Sequence, residues 1–138
     1  MTAGENVEES EACGDRTVLV VDDVVLVRML IADSLRLRGF EVVEASSGEE
    51  AIQLLDSDMR IAVVLTDIYM PAAELDGFGL ARWIRRRRPD LKVVLGSGVT
   101  SSVAPADADL FVGPVLPKPY NFDEVEKRLR AAIAPSSA

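Results

Sequence analysis

The chain is 138 residues long, 49% hydrophobic and 28% charged, with a formal net charge of −8, one cysteine and no histidine. That length fits one domain with a buried core, and a lone Cys13 excludes a disulfide framework. The missing imidazole excludes serine–histidine hydrolases and histidine-ligated metal sites, the negative charge gives no general attraction for nucleic acid phosphates, and no apolar run approaches the roughly 20 residues of a membrane helix.

Residues 1–15 are acidic and rich in Glu, Gly and Ser. They predict a loose tail, not a secretory leader, and hence a cytoplasmic location. Residues 17–21 (T-V-L-V-V) open a series of short apolar, β-branched runs. A helix follows on which Val27, Leu30, Ile31 and Leu35 share one face, ended by Gly39 as a left-handed cap. Residues 41–45 (E-V-V-E-A) mix polar and apolar side chains, as an edge strand does. Ser47 and Glu50 form a capping box for a second helix through Leu55. The runs 61–65 and 93–95 are apolar on both faces, the signature of strands buried in a parallel sheet. Between them Asp76 caps a third helix with Leu80 and Ile84 inward, and Pro89 stops it. The four arginines from Arg85 to Arg88 read either as a solvated helix end, where cations suit the dipole, or as a docking patch for an acidic partner. Residues 99–109 hold one proline and many small residues and predict a short helix at most. Residues 110–112 with Val115 and Leu116 make a weaker fifth strand. Asn121 with Glu124 caps a last helix carrying Phe122, Val125, Leu129 and Ile133 inward, with acid–base pairs Asp123–Lys127 and Glu124–Arg128 outside. Residues 135–138 read as a frayed end.

Strand and helix therefore alternate five times. This predicts an α/β fold over residues 16–134, with a doubly wound parallel sheet, helices on both faces and right-handed crossovers.

Ligands of such sheets bind beyond the carboxyl ends of the strands. Asp22 and Asp23 follow the first strand, Asp67 the third, Ser97 the fourth and Lys118 the fifth. Taken singly, an aspartate here is a helix cap, the serine a turn residue and the lysine a solvated surface group. Taken together they bring three carboxylates, a hydroxyl and an ammonium to one edge. Three such carboxylates repel one another unless a divalent cation sits among them, and oxygen-only ligands select Mg²⁺ or Mn²⁺ over zinc. The set suits phosphoryl transfer. One aspartate attacks phosphorus to give an acyl phosphate, and the cation, the lysine and the hydroxyl balance charge on the equatorial oxygens.

These residues sit in motifs that resemble the receiver domains of two-component response regulators. The motifs are V-L-V-V-D-D at 18–23, V-V-L-T-D-I-Y-M-P at 63–71, D-G at Asp76–Gly77, G-S-G at 96–98 and L-P-K-P-Y at 116–120. The resemblance covers residues 17–134. It implies a flavodoxin-like five-stranded sheet of order 2-1-3-4-5, with Asp67 as phosphoacceptor and Asp22, Asp23, Asp67 and the backbone carbonyl of Tyr69 around Mg²⁺. It further implies Ser97 as the switch hydroxyl, Lys118 as the phosphoryl-contacting lysine and a cis bond to Pro119. The donor implied is a sensor histidine kinase or histidine phosphotransfer protein acting in trans, which the absence of histidine fits. Beyond self-catalysed phosphoryl acceptance and loss, no enzyme activity is expected. With no residues after Ala138 for an output domain, the expectation is a single-domain receiver, monomer or weak homodimer. It would signal to an unknown downstream protein target through movement of the segment after Gly98, or serve as a relay intermediate or phosphate sink.

Three departures from the family pattern stand out. Val115 occupies a position that often holds an aromatic, so Phe111 or Tyr120 would have to take any gating part. Residues 72–75 enlarge the loop beside the phosphorylation site. Pro105 and a short fourth-helix region remodel the face that commonly carries output. Two other functions compete. A phosphate-independent docking module would be favoured by loss of a site acid, yet all five positions are filled. A Mg²⁺-dependent phosphatase typically spaces two acids by one residue at the first strand, whereas Asp22 and Asp23 are adjacent.

Overall fold

A computed structural model of the chain describes residues 16–57, 59–71, 74–98, 103 and 107–133. Five strands, β1 (Thr17–Val21), β2 (Glu41–Ala45), β3 (Val63–Asp67), β4 (Lys92–Ser97) and β5 (Leu116–Pro117), form one sheet of order β2-β1-β3-β4-β5. All neighbours are parallel. Four helices accompany them among the described residues: α1 (Val25–Leu37), α2 (Gly48–Asp56), α3 (Gly77–Arg87) and α4 (Phe122–Ile133). β1 and β3 are buried along their whole length, as their apolar runs require, while β2, at the edge, runs from exposed Glu41 through half-buried Val42, Val43 and Glu44 to buried Ala45.

The sheet has a hydrophobic core on each face. Leu19, Val21, Val64, Val93 and Leu95 pack with Ala51 and Leu55 of α2 and Leu80 and Ile84 of α3. Val18, Val20, Val63, Leu65 and Val94 pack with Ile31 and Leu35 of α1 and Val125 and Leu129 of α4. The capping residues act as their types predict. Ser47 Oγ accepts from the Glu50 amide at 3.0 Å, Asp76 Oδ1 from the Gly79 amide at 2.8 Å, and Asn121 Oδ1 from the amides of Asp123 and Glu124. Glu50 returns to the amide of Ser46, one residue before the cap. Gly39 takes the left-handed conformation, φ +98°, that ends α1.

Three expectations change. Leu30 lies on the outer face of α1, 59% exposed, and Ala32 takes the inner place. The fifth strand is Leu116–Pro117, not residues 110–112. Val112 donates one backbone bond to Val93, but Gly113 at φ +70° and Pro114, which lacks an N–H, break the ladder before it extends. The outer pairs of α4 are replaced: Asp123 and Glu126 bind Arg38, and Arg128 donates to the carbonyls of Val112 and Pro114. The arginine run forms the solvated last turn of α3, as the helix-end reading expects, and from there Arg85 reaches Asp109, Arg87 reaches Asp56 and Arg88 donates to the carbonyl of Leu55. The strand–helix alternation comes to four helices here, because the predicted fourth-helix segment falls largely at 99–102 and 104–106. Those residues, the tail 1–15, residues 72–73 of the enlarged loop and residues 134–138 lie outside the described set.

Gly77 decides how closely α3 follows β3. Its amide donates to the Ile68 carbonyl, and a Cβ there would come within 2.4 Å of the Asp67 carbonyl oxygen. Alanine normally favours a helix over glycine by about 1 kcal/mol. Here Gly77→Ala is expected to destabilise by about 2 kcal/mol through overpacking against backbone. Gly79→Ala, whose Cβ meets chiefly a Leu75 methyl that can turn aside, serves as the control. Thermal unfolding of the two variants checks the contrast.

Candidate functional site

The parallel register carries the ends of β1, β3, β4 and β5 to one edge. Asp22 follows β1, Asp67 ends β3 opposite Gly96, and Ser97 ends β4 opposite Pro117. The Lys118 amide then bonds the Ser97 carbonyl at 2.9 Å, which aims the lysine back over the sheet. Its Nζ lies 2.5 Å from Asp22 Oδ2 and 3.3 Å from Asp67 Oδ2. The bond from Lys118 to Pro119 is cis.

Asp22 is almost wholly buried and Asp67 nearly so. Asp22 Oδ1 also accepts from the Val24 amide at 3.0 Å, so it holds the turn that precedes α1 as well as facing the pocket. Arg28 stiffens this corner by donating to the Asp22 carbonyl at 2.8 Å and pairing with Glu44. Asp22, Asp23 and Asp67 each present an oxygen within 4.8 Å of the others. Burial pushes the Asp67 pKa up and the Asp22 charge adds to this, while Lys118 and the backbone amide of Tyr69 pull the other way. One ammonium thus leaves the trio under-neutralised. Asp67 Oδ1 is buried with no hydrogen-bond partner. An orphaned carboxylate oxygen among hard oxygen donors fits a small divalent cation.

The residues singled out in the sequence therefore meet. Asp22, Asp23, Asp67 and Lys118 share one pocket, and Ser97, 3% exposed, stands at the next strand end. The backbone amide of Tyr69 faces the Asp67 carboxylate, and its ring is exposed to solvent. Phe111 does not reach the pocket. It packs edge-on to Phe78, centroids 6.3 Å apart, in the core under α2 and α3, where Val115 also lies. Tyr120 is the aromatic that reaches the Asp67 side of the sheet. Arg28 was not legible in the sequence, because its role depends on the Asp22 carbonyl and on Glu44 of a neighbouring strand. Gly77 carried a signal in its D-G pair, though not its reason.

A flavodoxin-like sheet with acids and a lysine at its carboxyl edge defines a receiver-type α/β protein. The family model described as the response regulator receiver domain matches residues 18–130. The chain belongs to that family. It is 38% identical over 117 residues to the response regulator MprA of Mycolicibacterium vanbaalenii, covering 84% of this chain and 49% of that protein. It is 35% identical over 129 residues to the sensor kinase CckA of Brucella abortus, covering 90% of this chain but 13% of that protein. The chain thus spans half or less of these relatives. Among solved structures, the Thermotoga maritima response regulator TrrA, in complex with Mg²⁺-BeF, superposes with a TM-score of 0.74 at 27% identity, covering 85% of this chain and 98% of that one. The receiver domain of NtrX from Brucella abortus gives 0.76 at 29% identity, covering 84% and 97%. None of the described helices is long and apolar enough to cross a membrane.

The folded protein holds the Asp67 proton more tightly than the unfolded chain does. The ionised carboxylate therefore costs stability above its folded pKa, and the cost disappears as pH falls below the unfolded value of about 3.9. In EDTA at neutral pH, Asp67→Asn is expected to raise Tm by a few degrees, an effect of about 1 kcal/mol. The gain should shrink toward zero as the pH is lowered to the ordinary carboxylate range. Calorimetry of both proteins across pH is the measurement.

Proposed function

We propose that this domain accepts a phosphoryl group on Asp67 from a partner protein's phosphohistidine in a Mg²⁺-dependent reaction and passes the signal on by a change of conformation. The observation that carries the reading is Lys118 Nζ seated between Asp22 and Asp67 with Asp67 Oδ1 left open. Asp67 supplies the nucleophilic oxygen. Lys118 contacts the arriving phosphoryl oxygens and offsets their charge, and the Ser97 hydroxyl turns toward them. Asp22, Asp23, Asp67 and the Tyr69 carbonyl would hold the cation, which supplies charge neutralisation on the phosphoryl oxygens. In transfer, the Asp67 oxygen bonds phosphorus as the bond to the donor nitrogen breaks, and the electron pair stays with the donor imidazole.

A donor must approach the open edge, and the surface there supports contact with a protein. Val24, Val25, Leu26, Met29 and Leu30 are all exposed at the start of α1, with Leu26 at 76%. An apolar surface of this kind beside a reaction pocket is a feature of interaction sites. The alternative, a phosphate-independent docking module, would need no such charge arrangement.

Incubation with acetyl phosphate and Mg²⁺ is expected to add one phosphoryl group, read by intact mass. Asp67→Asn or omission of the metal should abolish it. A labelled Asp67→Asn protein would overturn the assignment. For the docking surface, Leu26→Asp is expected to slow transfer from a phosphorylated partner kinase about tenfold relative to labelling by acetyl phosphate, the size of a lost interface anchor.

A further inference from the structure

Tyr120 lies two residues beyond Lys118, and its ring is partly buried in the core between the sheet and α1 and α4. Phe122 meets it edge-on at 6.3 Å, and the Lys118 ammonium lies 5.8 Å from its centroid. The phenol tip ends over Gly96. A Cβ built at Gly96 would fall 1.8 Å from the hydroxyl oxygen and 2.6 Å from Cζ. The hydroxyl therefore fills the volume that any side chain at position 96 would take. Gly96 is the register partner of Asp67 on the neighbouring strand, and adjacent strands lie about 4.8 Å apart. The side chain of residue 96 would stand beside that of Asp67, and the tyrosine hydroxyl stands there in its place.

Two independent features give this position chemical meaning. Asp67 Oδ1 is buried and has no partner. The Tyr120 hydroxyl is pushed well above the ordinary phenol pKa by burial and then by the charges of Asp67 and Asp22. It therefore stays a proton donor across the physiological range and feels both carboxylates.

We propose that Tyr120 is a further catalytic residue of the phosphoryl pocket, whose hydroxyl, admitted by the absence of a side chain at Gly96, donates a hydrogen bond to the Asp67 carboxylate as the phosphoryl group leaves. The inference rests on Asp67 being the phosphoacceptor. In hydrolysis a water oxygen bonds phosphorus, the bond between phosphorus and the Asp67 oxygen breaks, and its electron pair returns to the carboxylate. The water's proton passes to solvent and inorganic phosphate departs. Tyr120 keeps its proton throughout and shares it with the carboxylate as charge returns there. Each carboxylate oxygen has two lone pairs, so a cation and a hydroxyl can be accepted together.

Tyr120→Phe keeps the ring and removes only the hydroxyl. Both proteins are labelled with acetyl phosphate and Mg²⁺, the donor is removed, and loss of the phosphoryl group is timed by intact mass. The variant is expected to lose it about fivefold more slowly, the effect of one hydrogen bond, with an unchanged melting temperature. In the wild type, the ¹³Cζ resonance of Tyr120 should shift when beryllium fluoride and Mg²⁺ are added. Equal or faster loss from Tyr120→Phe, or a Tyr120 resonance indifferent to beryllium fluoride in a protein that does label, overturns the inference alone. A wild type that never labels overturns the phosphoacceptor reading, and this inference with it.

Discussion

The Lys118 ammonium between Asp22 and Asp67 is the interaction on which the site depends. It joins the ends of β1, β3 and β5, and it is the one cation the described residues place against two buried carboxylates. A single positive charge cannot balance three acids. Burial first, and then the neighbouring Asp22 charge, hold the Asp67 pKa up against the pull of Lys118, and Asp67 Oδ1 stays without a hydrogen-bond partner. The pocket is thus held together and left short of charge by the same contact, and a hard cation or an electrophilic phosphorus supplies what is missing.

Two glycines show how finely the backbone is arranged around that pocket. At Gly77 the missing Cβ lets α3 begin against the Asp67 carbonyl. At Gly96 it leaves room for the tip of a tyrosine arriving from beyond β5. Around them, arginines tie loops to the frame. Arg28 fixes the turn after β1, and Arg82 grips both carboxylate oxygens of Asp107 while Arg85 holds Asp109. Much of the positive charge that looked available for partners is spent on the protein itself.

Most of the fold was legible along the chain. The apolar runs, the caps at Ser47, Asp76 and Asn121 and the stop at Gly39 are each governed by residues within a few positions, so sequence order carries their physics. The errors share a cause. Leu30 belongs by spacing to the inner stripe of α1, yet the width of the covered face is decided by what packs on it, and there Ala32 sits closer. Residues 110–112 have strand composition, but a strand needs an unbroken partner ladder, and Gly113 and Pro114 deny it. Asp123 is spaced for Lys127, but Arg38, just past the end of α1, offers it a partner from a distant part of the chain.

The order of the elements, the identity of the acids and the need for a counter-charge were already present in the string of residues, because they follow from alternation, from residue type and from the repulsion of like charges. Folding alone settled that Lys118 reaches an aspartate 96 positions away, that Arg28 guards the turn beneath it and that Tyr120, not Phe111, comes up beside Asp67. Those contacts depend on strand register and on which face a side chain leaves, and neither is written in the spacing of residues along one chain.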